Sequence, residues 1–180
     1  LMSAPSQAGR LLRIESGLGT DTLLIRSFRG TESVSAPYMI EAEVLATRAV
    51  TSADLLGKPV HIVIDDESAG ERVIHGLVRS LTSAGRDEEY FLYRLQMVPW
   101  FWFLSLSRDC RVFQNMNVRE IVEKVFDDRG YSDYTFDCQR SFAVREFTVQ
   151  YQESDLDFVS RLLRHLEIRS FSWALIRRRT

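Results

Sequence analysis

The sequence predicts a mainly β chain with an α+β portion. An N-terminal antiparallel β-barrel is expected over 10–104, followed by a partial α+β domain over 105–180, with a disordered start at 1–9. Three observations carry that expectation. Before Pro99 the apolar residues recur in short runs of period two, separated by turn residues, as half-buried strands require. After Pro99 apolar stripes of helical spacing appear beside one further strand. The composition is that of an ordinary folded chain: 180 residues, 45% hydrophobic and 27% charged, which excludes wholesale disorder.

Arg10 to Glu15 and Thr22 to Arg29 are apolar runs, the second closed by Gly30. From Tyr38 to Ala46, Tyr38, Ile40, Ala42 and Val44 share one face and Glu41 and Glu43 the other. Leu55 to Pro59 is a turn, Val60 to Ile64 a strand and 65–70 a polar connection. Arg72 to Leu81 is a strand carrying Gly76, and an isolated strand glycine marks a bulge or a close backbone approach, as at a barrel corner. A solvated turn at 85–89 leads into Tyr90 to Val98, with Phe91, Tyr93, Leu95 and Met97 on one face. Asn117 and Glu120 form a capping-box pair ahead of the stripe Val118, Ile121, Val122 and Val125, and Gly130 ends that helix. Val144 to Tyr151 is a strand with Phe147, Val149 and Tyr151 on one face. Ser154 then caps a second helix with stripe Phe158, Val159, Leu162, Leu163 and Leu166, and Asp155 and Asp157 sit where the helix dipole favours anions. Beyond Leu166 the arginine-rich end does not read as a strand completing a sheet, so the chain is expected to stop within a domain.

Charge and motif content narrow the function. Lys plus Arg is 23 against 25 acidic residues, a net −2, without the basic excess of a general nucleic-acid binder. No run reaches the ~20 apolar residues of a membrane span, and 1–9 lacks the basic start and apolar centre of a secretory signal. A cytoplasmic chain is expected, with export open only to a machine that reads no signal peptide. Two cysteines, Cys110 and Cys138, exclude a disulfide scaffold or a four-cysteine zinc site. His61, His75 and His165 are the side chains able to serve as a general base near neutrality. His61 and His75 lie in strands and, with Asp65 or Asp66, could in principle ligate a metal, but two ligands without fixed spacing are a weak signal and ordinary polar-face strand positions account for them better. Asp65-Asp66-Glu67 and Asp127-Asp128 lack the surroundings of a cation loop and read as solvated turn carboxylates. Cys110 has no adjacent base. No nucleotide loop, GxSxG or HExxH motif occurs, so no enzyme is indicated and no cofactor or metal is expected. Trp100-Phe101-Trp102-Phe103 reads as core packing or a partner surface.

Several multi-residue runs, in order from about Leu11 to Leu166, resemble the VgrG family of type VI secretion spike proteins. They are Leu56-Gly57-Lys58-Pro59, then Arg72-Val73-Ile74-His75-Gly76-Leu77-Val78, then Pro99-Trp100-Phe101-Trp102-Phe103-Leu104. Arg111-Val112-Phe113-Gln114 follows, with Glu120-Ile121-Val122, and then Gln150-Tyr151-Gln152-Glu153-Ser154-Asp155 with Phe158, Arg161 and Leu162. The resemblance implies a non-enzymatic baseplate hub module: a homotrimer that caps the Hcp tube, meets baseplate proteins and supports a needle with a PAAR tip. Family members continue with Glu-Gly-Ile, an aromatic strand, a further barrel and the needle, whereas this sequence reads Arg164-His165-Leu166-Glu167-Ile168 and ends at Thr180, so a truncated module is expected. The residues it marks as defining are Gly57, His75, Gly76, Trp100, Trp102, Phe113, Gln114, Tyr151, Ser154, Asp155 and Arg161, all with structural roles. Two other readings stay open, a contractile prophage tail hub and a stand-alone β-barrel binding module with Trp100 to Phe103 as its stacking surface.

Overall fold

The computed structural model describes residues 6–33, 36–66, 70–86, 89–132, 134 and 141–164. The chain divides into two compact units, Leu1–Glu32 with Tyr38–Trp100, and Ser33–Pro37 with Phe101–Thr180.

The first unit is a six-stranded antiparallel sheet curled as a half-barrel. Its strands are β1 (Leu12–Ser16), β2 (Leu23–Ser33), β3 (Ala36–Ala46), β4 (Pro59–Asp66), β5 (Gly70–Arg86) and β6 (Phe91–Val98), in the order β1-β4-β5-β6-β3-β2. The curl follows from the alternation. Ile14, Leu23, Ile25, Ile40, Val44, Val60, Ile62, Val78, Leu95 and Met97, from all six strands, share one buried cluster, and a flat sheet cannot bring its two edges to one core. A short helix α1 (Ser52–Leu55), whose Thr51–Asp54 capping box is formed, buries Leu55 in the same cluster. The sequence predicts a turn over Leu55 to Pro59 and no helix before it.

β5 runs five residues past the expected end of its strand at Leu81 and does two jobs. Its first half pairs with β4 as far as Pro59↔Leu77, and its second half pairs with β6 from Leu77↔Val98, with register shifts between Val78 and Ser80 and between Ser83 and Gly85. Gly76 stands at the hand-over. A Cβ there would lie 2.7 Å from Met97 Cε and 3.1 Å from the Val98 carbonyl, so the close approach of β5 to the end of β6 depends on the missing side chain.

Of the segment expected to be disordered at the start, residues 1–5 lie outside the described residues, and Gln7 is buried. Its side-chain amide treats β1 as a neighbouring strand would: the Ile14 N–H donates to Gln7 Oε1 at 2.8 Å, and Gln7 Nε2 donates to the Ile14 carbonyl at 3.0 Å. An edge strand with its ladder groups engaged is a poorer template for stray pairing.

The second unit holds a 3₁₀ segment (Trp100–Leu106), β7 (Arg108–Met116), α2 (Val118–Asp128), β8 (Arg145–Ser154) and α3 (Asp155–Arg164). α2 starts at the predicted box: Glu120 N–H donates to Asn117 Oδ1 at 3.1 Å, and Asn117 N–H to Glu120 Oε2 at 2.7 Å. It ends in a Schellman arrangement at Gly130 (φ 77°), with Tyr131 N–H to Phe126 O at 2.9 Å and Gly130 N–H to Asp127 O at 2.9 Å. β7 and β8 pair antiparallel, and Phe113 of β7 stacks on Phe158 of α3 with centroids 5.5 Å apart. Val118, Ile121, Val122, Val125, Phe126, Phe158, Val159, Leu162 and Leu163 are all buried. The expectations attached to Glu67, Cys138, His165 and the end from Leu166 to Thr180 lie outside the described residues.

Candidate functional site

The most heavily bonded side chain of the second unit is Asp155, the first residue of α3, which is fully buried. Sequence reasoning explains it as a helix-dipole partner; the structure gives it more. Its Oδ1 accepts from Arg111 Nη2 at 2.6 Å and Gln150 Nε2 at 2.8 Å, and its Oδ2 from Arg129 Nε at 2.6 Å. Its own N–H donates to the Ser107 carbonyl at 3.0 Å. One carboxylate thus ties β7, the end of α2, β8 and the start of α3. The Arg129 guanidinium is held above its usual range, chiefly by the hydrogen bond to Asp155. Arg111 also reaches Gln150 Oε1 at 2.9 Å and Asp128 Oδ2 at 3.3 Å. A buried charge survives only when paired and hydrogen-bonded, and here both oxygens are occupied. The cluster is therefore a structural lock, with both carboxylate oxygens engaged by side chains of its own unit.

The other marked residues fall around this lock or in the first unit. Ser154 Oγ accepts from Asp157 N–H at 3.0 Å and donates to Asp157 Oδ2 at 2.6 Å, the geometry of a helix N-cap. Arg161 grips both oxygens of Glu153 and donates to the Val149 carbonyl at 3.1 Å, which pins α3 to β8 and holds the guanidinium above its usual range. Trp100 is buried and Trp102 packs edge-on against Phe103 at 5.3 Å. Gly57 adopts φ 71° and donates its N–H to the Val78 carbonyl at 2.8 Å. His75 meets His61 across the β4–β5 ladder, and its carbonyl accepts from Tyr38 Oη. Asp65 is held by Arg13 at 3.3 Å, and Asp128 by Arg111 and Lys124. Among the described residues no three histidine, cysteine, aspartate or glutamate side chains converge as for a metal ion. Cys110 is exposed, and its Sγ accepts from Gln152 N–H at 3.4 Å.

The outer face of the β7–β8 ribbon departs from the usual amphipathic rule. The polar side of β8, Thr148 and Gln150, is buried, and the apolar side looks outward: Phe147 is 59% exposed, Val149 48%, Tyr151 69%, and Val112, paired with Val149, 59%. Gln114 stands opposite Phe147 on the same side. A bulge ends this outward run. β8 spends two residues, Tyr151 and Gln152, against Cys110 alone, and Gln152 takes φ 50°. Sequence alternation correctly groups Phe147, Val149 and Tyr151, but not the direction they face. Arg111, Gln150 and Arg129 escape sequence reasoning because no local spacing ties them to Asp155.

Three comparisons bear on this architecture. The family model described as "Phage tail baseplate hub (GPD)" matches residues 31–171. The chain is 35% identical over 161 residues to the type VI secretion system spike protein VgrG1b of Pseudomonas aeruginosa, covering 89% of this chain and 22% of that protein. It is 35% identical over 156 residues to the actin cross-linking toxin VgrG1 of Vibrio cholerae, covering 81% and 14%. Among solved structures it is similar to the Escherichia coli c3393 protein, described as a component of the type VI secretion system with structural similarity to the T4 tail proteins gp27 and gp5. That match has a TM-score of 0.74 at 25% identity, over 84% of this chain and 42% of that one. The fold is also that of a 43 kDa prophage tail protein from Shewanella oneidensis, with a TM-score of 0.55. The chain spans about a fifth of the length of the spike proteins it matches.

Proposed function

The chain belongs to the phage tail baseplate hub family, and from that premise we propose that it serves as a structural, non-enzymatic module of a type VI secretion spike hub. In this reading it assembles as a homotrimer, caps the Hcp tube, contacts baseplate proteins and bears a needle only through polypeptide beyond this chain. The observation that carries the reading is the outward apolar face of Val112, Phe147, Val149 and Tyr151. Contiguous exposed apolar surface marks an assembly face, and the relatives carry much polypeptide beyond the region matched here. The fully engaged Asp155 lock supports a scaffold rather than a reactive centre. A contractile prophage tail hub is the second reading, favoured by the prophage tail neighbour. Identities near 35% to spike proteins favour the secretion apparatus.

Absolute mass by light scattering after size exclusion tests the assembly claim. A discrete trimer, reached as concentration rises, is the expected outcome. A cooperatively melting monomer at every concentration would contradict it.

A further inference from the structure

His61 and His75 are register partners on adjacent strands β4 and β5, and their rings meet edge to face with centroids 4.6 Å apart. Their Nδ1 atoms lie 2.9 Å from each other. We propose that this pair is a two-nitrogen chelate for a divalent transition ion that prefers right-angled coordination, of the Ni(II) or Cu(II) class.

The argument is one of bite. Metal–imidazole bonds of about 2.0–2.1 Å set at right angles hold two nitrogens about 2.9 Å apart, whereas a tetrahedral ion spreads them to about 3.3–3.4 Å. The observed 2.9 Å is the length of the N–H···N hydrogen bond that joins the two rings, and it lies nearer the right-angled bite than the tetrahedral one. The pair is also pre-positioned. The β4–β5 ladder fixes both Cα atoms, and Tyr38 Oη donates to the His75 carbonyl, which steadies the backbone under the ring. His75 is exposed and His61 half-exposed, so an ion reaches them from solvent and keeps waters in its remaining positions. On the far flank of His61 its β1 register partner is Glu15, an exposed carboxylate that adds favourable charge on the same face. Arg13, the next cation along this face, is already occupied by Asp65 and Glu71.

The proton balance is simple. In the neutral pair one Nδ1 carries the proton and the other accepts it. On metal entry the donor ring changes tautomer, its proton moving from Nδ1 to its own Nε2. That shift breaks the Nδ1–Nδ1 hydrogen bond, frees both Nδ1 lone pairs for the ion and releases no net proton.

Calorimetric titration of the full chain with Ni(II), in a buffer that does not bind the ion, tests this. Ni(II) is chosen because Cu(II) would also oxidise the exposed Cys110. One ion per chain is expected. Loss of an outer partner alone weakens metal sites about 10–100-fold, so H61Q or H75Q is expected to weaken binding by at least about tenfold. H165Q is expected to leave it unchanged. Ring-proton resonances of His61 and His75 are expected to broaden before those of His165, a readout that needs no variant to fold. Absence of saturable binding, or the same affinity in H61Q and H75Q as in the parent, would overturn the proposal.

Discussion

Asp155 shows what a single residue contributes here. Its carboxylate receives three side-chain donors from β7, β8 and the end of α2 in a buried site. Replacing it with alanine takes the shortest ion pair from both Arg111 and Arg129, which keep only longer ones to Asp109 and Asp128, and breaking a buried ion pair from one side costs about 3–5 kcal/mol. Asp155→Ala is therefore expected to lower urea-unfolding stability by that order, with Asp155→Asn falling between. A loss below about 0.5 kcal/mol, the range of ordinary surface changes, would show that the lock carries no weight. The role of Asp155 as a helix-start anion is legible from Ser154-Asp155-Leu156-Asp157. Its partners are not, because Arg111 stands 44 positions away and Arg129 26, and only the tertiary fold brings them together.

At the scale of elements, what is local in physics is legible in sequence. α2 begins and ends where Asn117, Glu120 and Gly130 say, because caps and the left-handed glycine act within one turn. β7 is missed because Arg108, Asp109 and Arg111 mask its alternation; Arg108 is exposed, while the charges of Asp109 and Arg111 are spent on ion pairs. The excess length of β5 is missed because its partner changes at Gly76, a property of the sheet rather than of the strand. α2 also supplies a pH prediction. Tyr134 packs edge-on against Phe126 at 5.0 Å, and burial raises its phenol from 10.0 to about 12, with Asp127 and Glu123 adding repulsion. The unfolded chain then ionises this tyrosine first. Stability is expected to be unaffected by it below pH 10 and to fall as pH rises from 10.0 toward 12. Ultraviolet titration is expected to show one phenol ionising later than the rest. Uniform titration near 10.0 would contradict the burial argument.

At the scale of the whole molecule, the decisive feature is the inverted ribbon. An isolated two-stranded element normally turns its apolar side to its own helices, but β8 gives them Thr148 and Gln150 and presents Phe147, Val149 and Tyr151 outward. That cost makes sense in a hub whose surface is completed by other polypeptide, and the order of the family's motifs makes such a hub legible in the sequence. The most direct test compares the full chain with the double variant Phe147→Glu, Tyr151→Glu by sedimentation velocity, with circular dichroism to verify folding. Two charges on an assembly face are expected to leave a folded monomer where the parent chain associates. Unchanged association in a folded variant would contradict the claim that this face joins the hub together, as would unfolding of the variant, which would make the face part of the core.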